Sequence, residues 1–146
     1  MANQGAQGGR AHLDVATQRI IEHIEQADGL PMKLRTAKTA AAVLCVMSRR
    51  MSKGHAQEMT ESLPESLGAL VQPCVEHHGS HTEMFDRAEF LRLLAEHLKI
   101  DENEAEICAR AVLRAVHAVL PQGELEHVRN QLPNELWELW GPRRAA

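Results

Sequence analysis

Apolar residues recur at helical spacing along most of the chain. Between positions 86 and 98 the apolar residues lie three or four positions apart. This spacing places Phe90, Leu93, Leu94 and Leu98 on one face of a helix. Asp86 with Glu89 has the spacing of a capping box before this stretch, and Asp101 with Glu104 repeats it. No segment shows sustained alternation of β-branched and polar residues. The pattern therefore predicts an all-α fold.

The same pattern predicts about four helices in each half of the chain. In the first half they lie near 15–27, 33–50 and 53–62, with a short fourth helix from Pro64 to Val71. In the second half, one helix follows Asp86 and a second covers about 102–119. A third helix carries the stripe Leu125, Val128 and Leu132, and a short fourth helix begins near Pro133. The second helix of each half is apolar on nearly all sides, over 40–47 and much of 111–120. Such helices are usually buried, so we expect these two at the centre.

The two halves resemble each other closely enough to indicate an internal repeat. A shift of 69 residues, without gaps, aligns Ala42-Val43-Leu44 with Ala111-Val112-Leu113, Gly54 with Gly123, and Leu63-Pro64 with Leu132-Pro133. Upstream it pairs Ile21 and Ile24 with Phe90 and Leu93. A unit of roughly 60 residues is marginally stable alone. We therefore expect one compact bundle over 15–142, with repeat 1 (15–73) and repeat 2 (84–142) related by a pseudo-twofold axis.

The connection between the repeats, residues 74–83, concentrates possible metal ligands. Within eight residues it holds Cys74, His77, His78 and His81, and thiolate and imidazole donors suit zinc, nickel or copper ions. The signal is weaker than that of paired motifs, because every donor comes from one segment. A solvated polar loop and a histidine patch that responds to pH are the other interpretations. Outside the bundle, residues 1–14 and 143–146 are expected to be tails.

Glu124 and His127 form a second candidate for metal chemistry. Their Glu-x-x-His spacing occurs in di-metal helical bundles, which need two such pairs and two further Glu residues. The repeat-equivalent positions hold His55 and Glu58, the same residues in reverse order. Because these positions flank the apolar stripe of their helices, we expect an exposed polar face instead.

Trp137 and Trp140 lie three residues apart on the last predicted helix. If exposed, they are candidate partner-binding residues, because tryptophan is frequent in interface hot spots. We expect them in the core, since Leu136, Leu139 and Trp140 share one helix face.

Composition and charge exclude several classes of protein. Hydrophobic residues make up 44% and charged residues 25% of the 146, which excludes a wholly disordered chain. The net charge is −4, and two Trp, two Phe and no Tyr offer little for stacking on nucleic-acid bases. The charge is uneven, since residues 15–73 carry 7 basic and 6 acidic side chains whereas residues 74–142 carry 6 and 13. Such polarity suits contact with a partner or a second copy.

The three cysteines and the apolar runs indicate the cellular setting. Cys45, Cys74 and Cys108 are too few and too scattered for a disulfide framework, so we expect a reduced, cytoplasmic protein. The longest apolar run, 40–47, is too short to span a bilayer, and the first thirteen residues lack the apolar region of a signal peptide. No membrane partner is expected. The sequence also contains no phosphate-binding, zinc-protease or serine-hydrolase motif.

The second repeat resembles a bacterial family known only as domain of unknown function 2267. The resemblance lies in an EFL first helix, an RAVL second helix, an LPQGE corner and a closing QLPNELWELW, in that order. The first repeat carries the pattern more loosely, and together they cover nearly all of 15–142. The resemblance implies a small all-helical bacterial protein without transferable catalytic residues. The histidine-rich connection departs from the family pattern.

Together these features predict a non-catalytic cytosolic helical protein that acts as an interaction or adaptor module, with a protein partner or a second copy of itself. The alternative is a metal-binding or metal-sensing protein that uses Cys74, His77, His78 and His81. An enzyme with its site between the repeats is a third hypothesis, which a concave pocket lined by His and Glu would support.

Overall fold

The computed structural model describes residues 13–76 and 86–131, together with Leu136 and Leu139. Within these residues the chain forms seven α-helices and one short 3-10 helix, with no β-strand, so the all-α prediction is confirmed. The helices are α1 (Val15–Glu25), α2 (Ala37–Ser48), α3 (Lys53–Ser62), α4 (Glu65–Glu76), α5 (Arg87–Leu98), α6 (Glu102–Val119) and α7 (Gln122–Gln131), with the 3-10 helix at Met32–Leu34. None of these described helices is long and apolar enough to cross a membrane.

Capping side chains set the start of most helices. Five helices, α1, α2, α3, α5 and α6, each follow a capping residue whose side-chain oxygen accepts a hydrogen bond from the backbone N–H three positions later. The capping residues are Asp14, Thr36, Ser52, Asp86 and Asp101. Before α6, Glu104 completes the predicted capping box by accepting from the Asp101 N–H. Before α5, the carboxylate of Glu89 pairs with Arg92 instead. Only half of the predicted box therefore forms there.

The second helix, α2, begins four residues later than the pattern predicts. Upstream the chain turns at Gly29, whose φ of +80° favours glycine. Arg35 holds this turn against the end of α1, because its Nε donates to the Leu30 carbonyl at 2.9 Å and its Nη1 donates to the Glu25 carbonyl at 2.7 Å. Because the Arg35 side chain satisfies the carbonyls of Glu25 and Leu30, the chain up to Thr36 stays outside α2.

The fourth helix, α4, is longer than predicted and includes Cys74. The pattern ends this helix at Val71, whereas in the structure it continues through Pro73 to Glu76. A proline inside a helix costs about 3 kcal/mol, because it lacks the backbone N–H and clashes with the preceding turn. Val71 and Val75, one turn apart, are both fully buried, and burying one valine side chain gains roughly 1.5–3 kcal/mol. Cys74 therefore lies in a helix and not in the predicted loop.

Helices α2 and α6 form the centre of the bundle, as the sequence predicts. Their inward faces are fully buried at Ala40, Val43, Leu44 and Met47 in α2 and at Ala109, Val112, Leu113 and Val116 in α6. Helix α1 packs mainly against α6, and α5 packs against both α2 and α6. Helix α4 packs against α2, whereas α3 packs against α4 and α7. The described core is aliphatic apart from the fully buried Phe90.

The contacts between the two halves are reciprocal. Helix α1 of the first half covers α6 of the second, α5 of the second half covers α2 of the first, and α3 meets α7. The bounds of α3 and α7 differ by 69 residues at both ends. In the first helices the fully buried positions Ile20 and Ile24 match Phe90 and Leu94 in spacing, one residue away from the predicted pairing of Ile21 with Phe90, and the repeat pairing there stays a prediction. The pseudo-twofold axis stays a prediction.

Candidate functional site

A groove lies between α1 and α6, the first helix of one half and the second helix of the other. Its volume is about 350 Å³. It is lined by His23, Ala27, Asp28, Ile107, Arg110, Ala111, Arg114 and Ala115, and we call this set the α1–α6 groove. Three small alanines leave the space open, and charged side chains surround it.

Two arginines of α6, one helical turn apart, give the groove its positive charge. Arg110 is already paired, because its Nε and Nη2 lie 3.0 Å and 2.8 Å from the Glu106 carboxylate. Arg114 is exposed and makes no ion pair within the described residues. Across the groove, His23 and Asp28 are also exposed. Arg114 is therefore available to an anionic group from outside.

An apolar side chain completes the groove. Ile107 is 36% exposed although it lies on the central helix. The turn at Gly29 runs beside it, since a Cβ built on that glycine would lie 3.9 Å from the Ile107 Cδ1. The lining residues include no hydroxyl or thiol nucleophile. This combination suits the binding of a group that is both acidic and apolar.

Cys45 and Cys74 form a disulfide that joins α2 to α4. Their Cα atoms are 5.8 Å apart, in the usual range, and both side chains are partly exposed. The expectation of three reduced cysteines is wrong for this pair, because a separation of 29 residues does not reveal that two helices lie side by side. Cys108 is free and fully buried, as expected of a small core residue. Burial raises the pKa of its thiol to about 12.

Of the four predicted metal ligands, only Cys74 lies in the described part of the chain. His77, His78 and His81 lie outside it. Among the described residues, no three His, Cys, Asp or Glu side chains lie close enough together to hold a metal ion. Cys74 would have to leave its disulfide before binding a metal, because the thiolate is the ligand. The metal site stays a prediction.

The predicted partner-binding residues Trp137 and Trp140 also lie outside the described residues. Their neighbours Leu136 and Leu139 are fully buried. The chain therefore reaches the core at these two leucines, and the role of the tryptophans stays a prediction.

The Glu-x-x-His pair and its repeat equivalent lie on the surface. His55, Glu58, Glu124 and His127 are all exposed and flank buried positions of α3 and α7. This confirms the expected exposed polar face. No di-metal site of the kind found in helical bundles forms from these described side chains.

Sequence reasoning missed the α1–α6 groove. Arg110 and Arg114 are spaced by four residues on an amphipathic helix with a buried apolar face, which indicates a charged strip at the edge of the core. Their counterpart His23 lies far away in the sequence, and periodicity does not show which helices become neighbours. The groove exists only because α1 packs on α6.

A family model matches most of this helical bundle. Its description is "Uncharacterized conserved protein (DUF2267)", and the match covers residues 17–139, from α1 to beyond α7. A search of curated proteins found no match. The resemblance seen in the sequence is thus confirmed, and the chain belongs to the DUF2267 family.

Proposed function

We propose that this chain is a non-catalytic interaction module whose α1–α6 groove receives a partner segment carrying a carboxylate beside a small apolar side chain. The observation that carries the proposal is Arg114, an exposed cation in a concave surface without an ion pair among the described residues. A guanidinium binds a carboxylate through two parallel hydrogen bonds, which fix orientation as well as add attraction.

The remaining groove residues limit what this partner can be. Ile107 offers partly exposed apolar surface next to the charged strip. Arg110 is held by Glu106 at 2.8 Å, and Asp28 repels a second carboxylate. A volume of about 350 Å³ is at the small end of binding pockets and fits a few side chains. The groove therefore favours one acidic side chain over a long acidic run.

Peptide display on the full-length protein tests this proposal. We expect a random 12-residue library to yield peptides with Asp or Glu next to Ala, Val or Leu. These peptides should bind the Arg114→Glu variant at least tenfold more weakly, since a hydrogen bond to a charged group contributes about 1.5–3 kcal/mol. Lys53→Glu is the matched control, because it makes the same charge change at an exposed position of α3 outside the groove.

Equal binding of the selected peptides to wild type and to Arg114→Glu would refute the role of the groove. Sedimentation equilibrium on the same variants tests the homodimer. If wild type dimerises and Arg114→Glu does not, the occupant is a second copy, whose acidic second half supplies the carboxylates.

A second candidate function is transition-metal binding by Cys74, His77, His78 and His81. The observation that favours it is the position of Cys74, which is partly exposed in the last turn of α4, three residues before His77. Because Cys74 is bonded to Cys45, we propose that this site forms only in the reduced protein.

Zinc titration of tag-free protein tests the metal proposal. With a phosphine reductant present, we expect one equivalent of Zn²⁺ to bind more tightly than about 10 µM, or roughly 7 kcal/mol. Cys74→Ala combined with His78→Ala should abolish this binding, whereas the Cys108→Ala control should retain it. An unchanged stoichiometry in the double variant would contradict the metal site.

A further inference from the structure

The disulfide lies where solvent can reach it. Cys45 is the one partly exposed residue in an otherwise buried stretch of α2, residues 40–48. Cys74 is also partly exposed, although Val75 beside it is fully buried. Both residues of the bond therefore have solvent-exposed surface, and access for a small thiol or dithiol is the first requirement for exchange.

The helical turn that carries Cys74 is weakened by a proline. Pro73 has no backbone N–H, so the hydrogen bond to the Ala69 carbonyl one turn earlier cannot form. The helix ends at Glu76, only two residues beyond Cys74. Two side chains anchor this turn to the bundle, since Val75 is buried and Cys74 is bonded to α2.

We infer that the Cys45–Cys74 disulfide is a thiol–disulfide exchange site that controls the order of the last turn of α4. An external dithiol attacks the bond and passes two electrons and two protons to the pair. The Sγ–Sγ bond breaks, Cys45 and Cys74 become thiols, and the dithiol closes into its own disulfide. The turn then keeps the buried Val75 but loses its covalent link to α2, and residues 74–76 fray from the helix. This inference is independent of the proposed interaction function.

Cys108 provides an internal reference for the reaction. It is fully buried in α6 and belongs to no disulfide. Burial in apolar surroundings also raises the pKa of its thiol, which keeps it inert. A reagent that labels accessible thiols in the native protein should therefore label the pair only after reduction and leave Cys108 unlabelled in both redox states.

Alkylation and hydrogen exchange, both read by mass spectrometry on the full-length native protein, test the inference. After equilibration with oxidised glutathione, we expect no iodoacetamide label. After dithiothreitol, we expect labels on Cys45 and Cys74 and none on Cys108. Hydrogen exchange of the amides in 74–76 should accelerate at least tenfold on reduction, within a labelling time over which the amide of Val112 in the core stays protected in both redox states.

Two variants and two contrary results complete the test. Cys108→Ala should respond to dithiothreitol as wild type does, and Cys45→Ser with Cys74→Ser should exchange rapidly at 74–76 with or without it. Alkylation of both cysteines in the oxidised protein would overturn the inference, because it would mean that no disulfide forms. Reduction that leaves exchange at 74–76 unchanged would also overturn it. Because wild type is compared with itself, the test does not depend on how well the double variant folds.

Discussion

At the scale of single residues, one carboxylate fastens the start of α1 to the start of α4. Asp14 accepts a hydrogen bond from the Thr17 N–H at 2.6 Å and another from the Ser66 N–H at 2.7 Å. Its own N–H donates to the Ser66 Oγ at 2.8 Å. Partial burial raises the pKa of Asp14, but the hydrogen bonds from Ser66 and Thr17 lower it by more, so this pKa lies below its usual value.

The lowered pKa of Asp14 should make the stability of the fold depend on pH. A carboxylate of this kind stabilises the folded state above its unfolded pKa, near 3.8, and the contribution is lost as the pH falls through the folded pKa. We expect the free energy of unfolding to fall more between about pH 5 and pH 3 in wild type than in Asp14→Asn. Urea denaturation at both pH values measures this, and equal losses in the two proteins would contradict it.

Gly68 is a second residue on which two helices depend. A Cβ at this position would lie 2.9 Å from the Thr60 carbonyl oxygen, so an added methyl group would push α3 and α4 apart. At Gly54 and Gly123 a Cβ would meet nothing within 4 Å. We expect Gly68→Ala to lower the free energy of unfolding by about 1–3 kcal/mol.

The exposed glycines are the controls for this substitution. Gly54→Ala and Gly123→Ala should each stabilise the protein by up to about 1 kcal/mol, because alanine favours the helix. Chemical denaturation compares all three variants with wild type. If Gly68→Ala had a higher free energy of unfolding than wild type, this would contradict the expectation, because α3 and α4 would then accommodate the methyl group without loss of stability.

At the scale of elements, α2 and α4 are joined by packing and by a covalent bond. Val71 and Val75 of α4 are fully buried, and the Cys45–Cys74 disulfide spans a sequence separation of 29 residues. Closing a loop of this length lowers the entropy of the unfolded chain enough to contribute about 3–4 kcal/mol to stability. The disulfide therefore contributes somewhat more to stability than the burial of either valine, which is worth roughly 1.5–3 kcal/mol.

Removing the disulfide should have a large and redox-dependent effect on stability. We expect Cys45→Ser with Cys74→Ser to lower the free energy of unfolding by about 3 kcal/mol relative to oxidised wild type. Under reducing conditions the free energy of unfolding of wild type should fall by most of this amount, towards that of the double variant. The effect of Cys108→Ala on the free energy of unfolding should not depend on reductant. Urea denaturation in both conditions measures these values. A double variant as stable as oxidised wild type would refute the contribution of the bond.

At the scale of the whole molecule, each half buries part of the other. Helix α1 covers α6 and α5 covers α2. Separating the halves would expose the apolar face of α1, with the fully buried Ile20 and Ile24, and the side of α5 that packs on α2. A single repeat of roughly 60 residues also buries too small a fraction of its surface to be stable without this cover.

The halves should therefore fold only together. We expect a fragment of residues 1–80 and a fragment of residues 81–146 each to show little helical circular dichroism and no cooperative thermal transition. Their equimolar mixture should regain helical signal, because each supplies the cover that the other lacks. A cooperative transition in either fragment alone would contradict this interdependence.

Periodicity and capping signals predicted the all-α fold and most of its helices, because they involve residues three or four apart. The capping box of Asp101 and Glu104 and the buried face of α6 are features of this kind. The Cys45–Cys74 disulfide and the α1–α6 groove depend on which helices become neighbours, and no local pattern encodes that. The length of α4 was underestimated for a related reason, since burial of Val75 by tertiary packing outweighs the helix-stopping effect of the proline.

The packing of α1 on α6 also has a consequence for the synthesis of the chain. Between the last residue of α1, Glu25, and the last residue of α6, Val119, about 94 residues must be translated. At about 5–20 residues per second this takes roughly 5–19 s. During that time the apolar face of α1, with Ile20 and Ile24, lacks its main native partner. Among the described helices, α1 therefore waits longest for its main partner and gives a ribosome-associated chaperone the longest opportunity to bind.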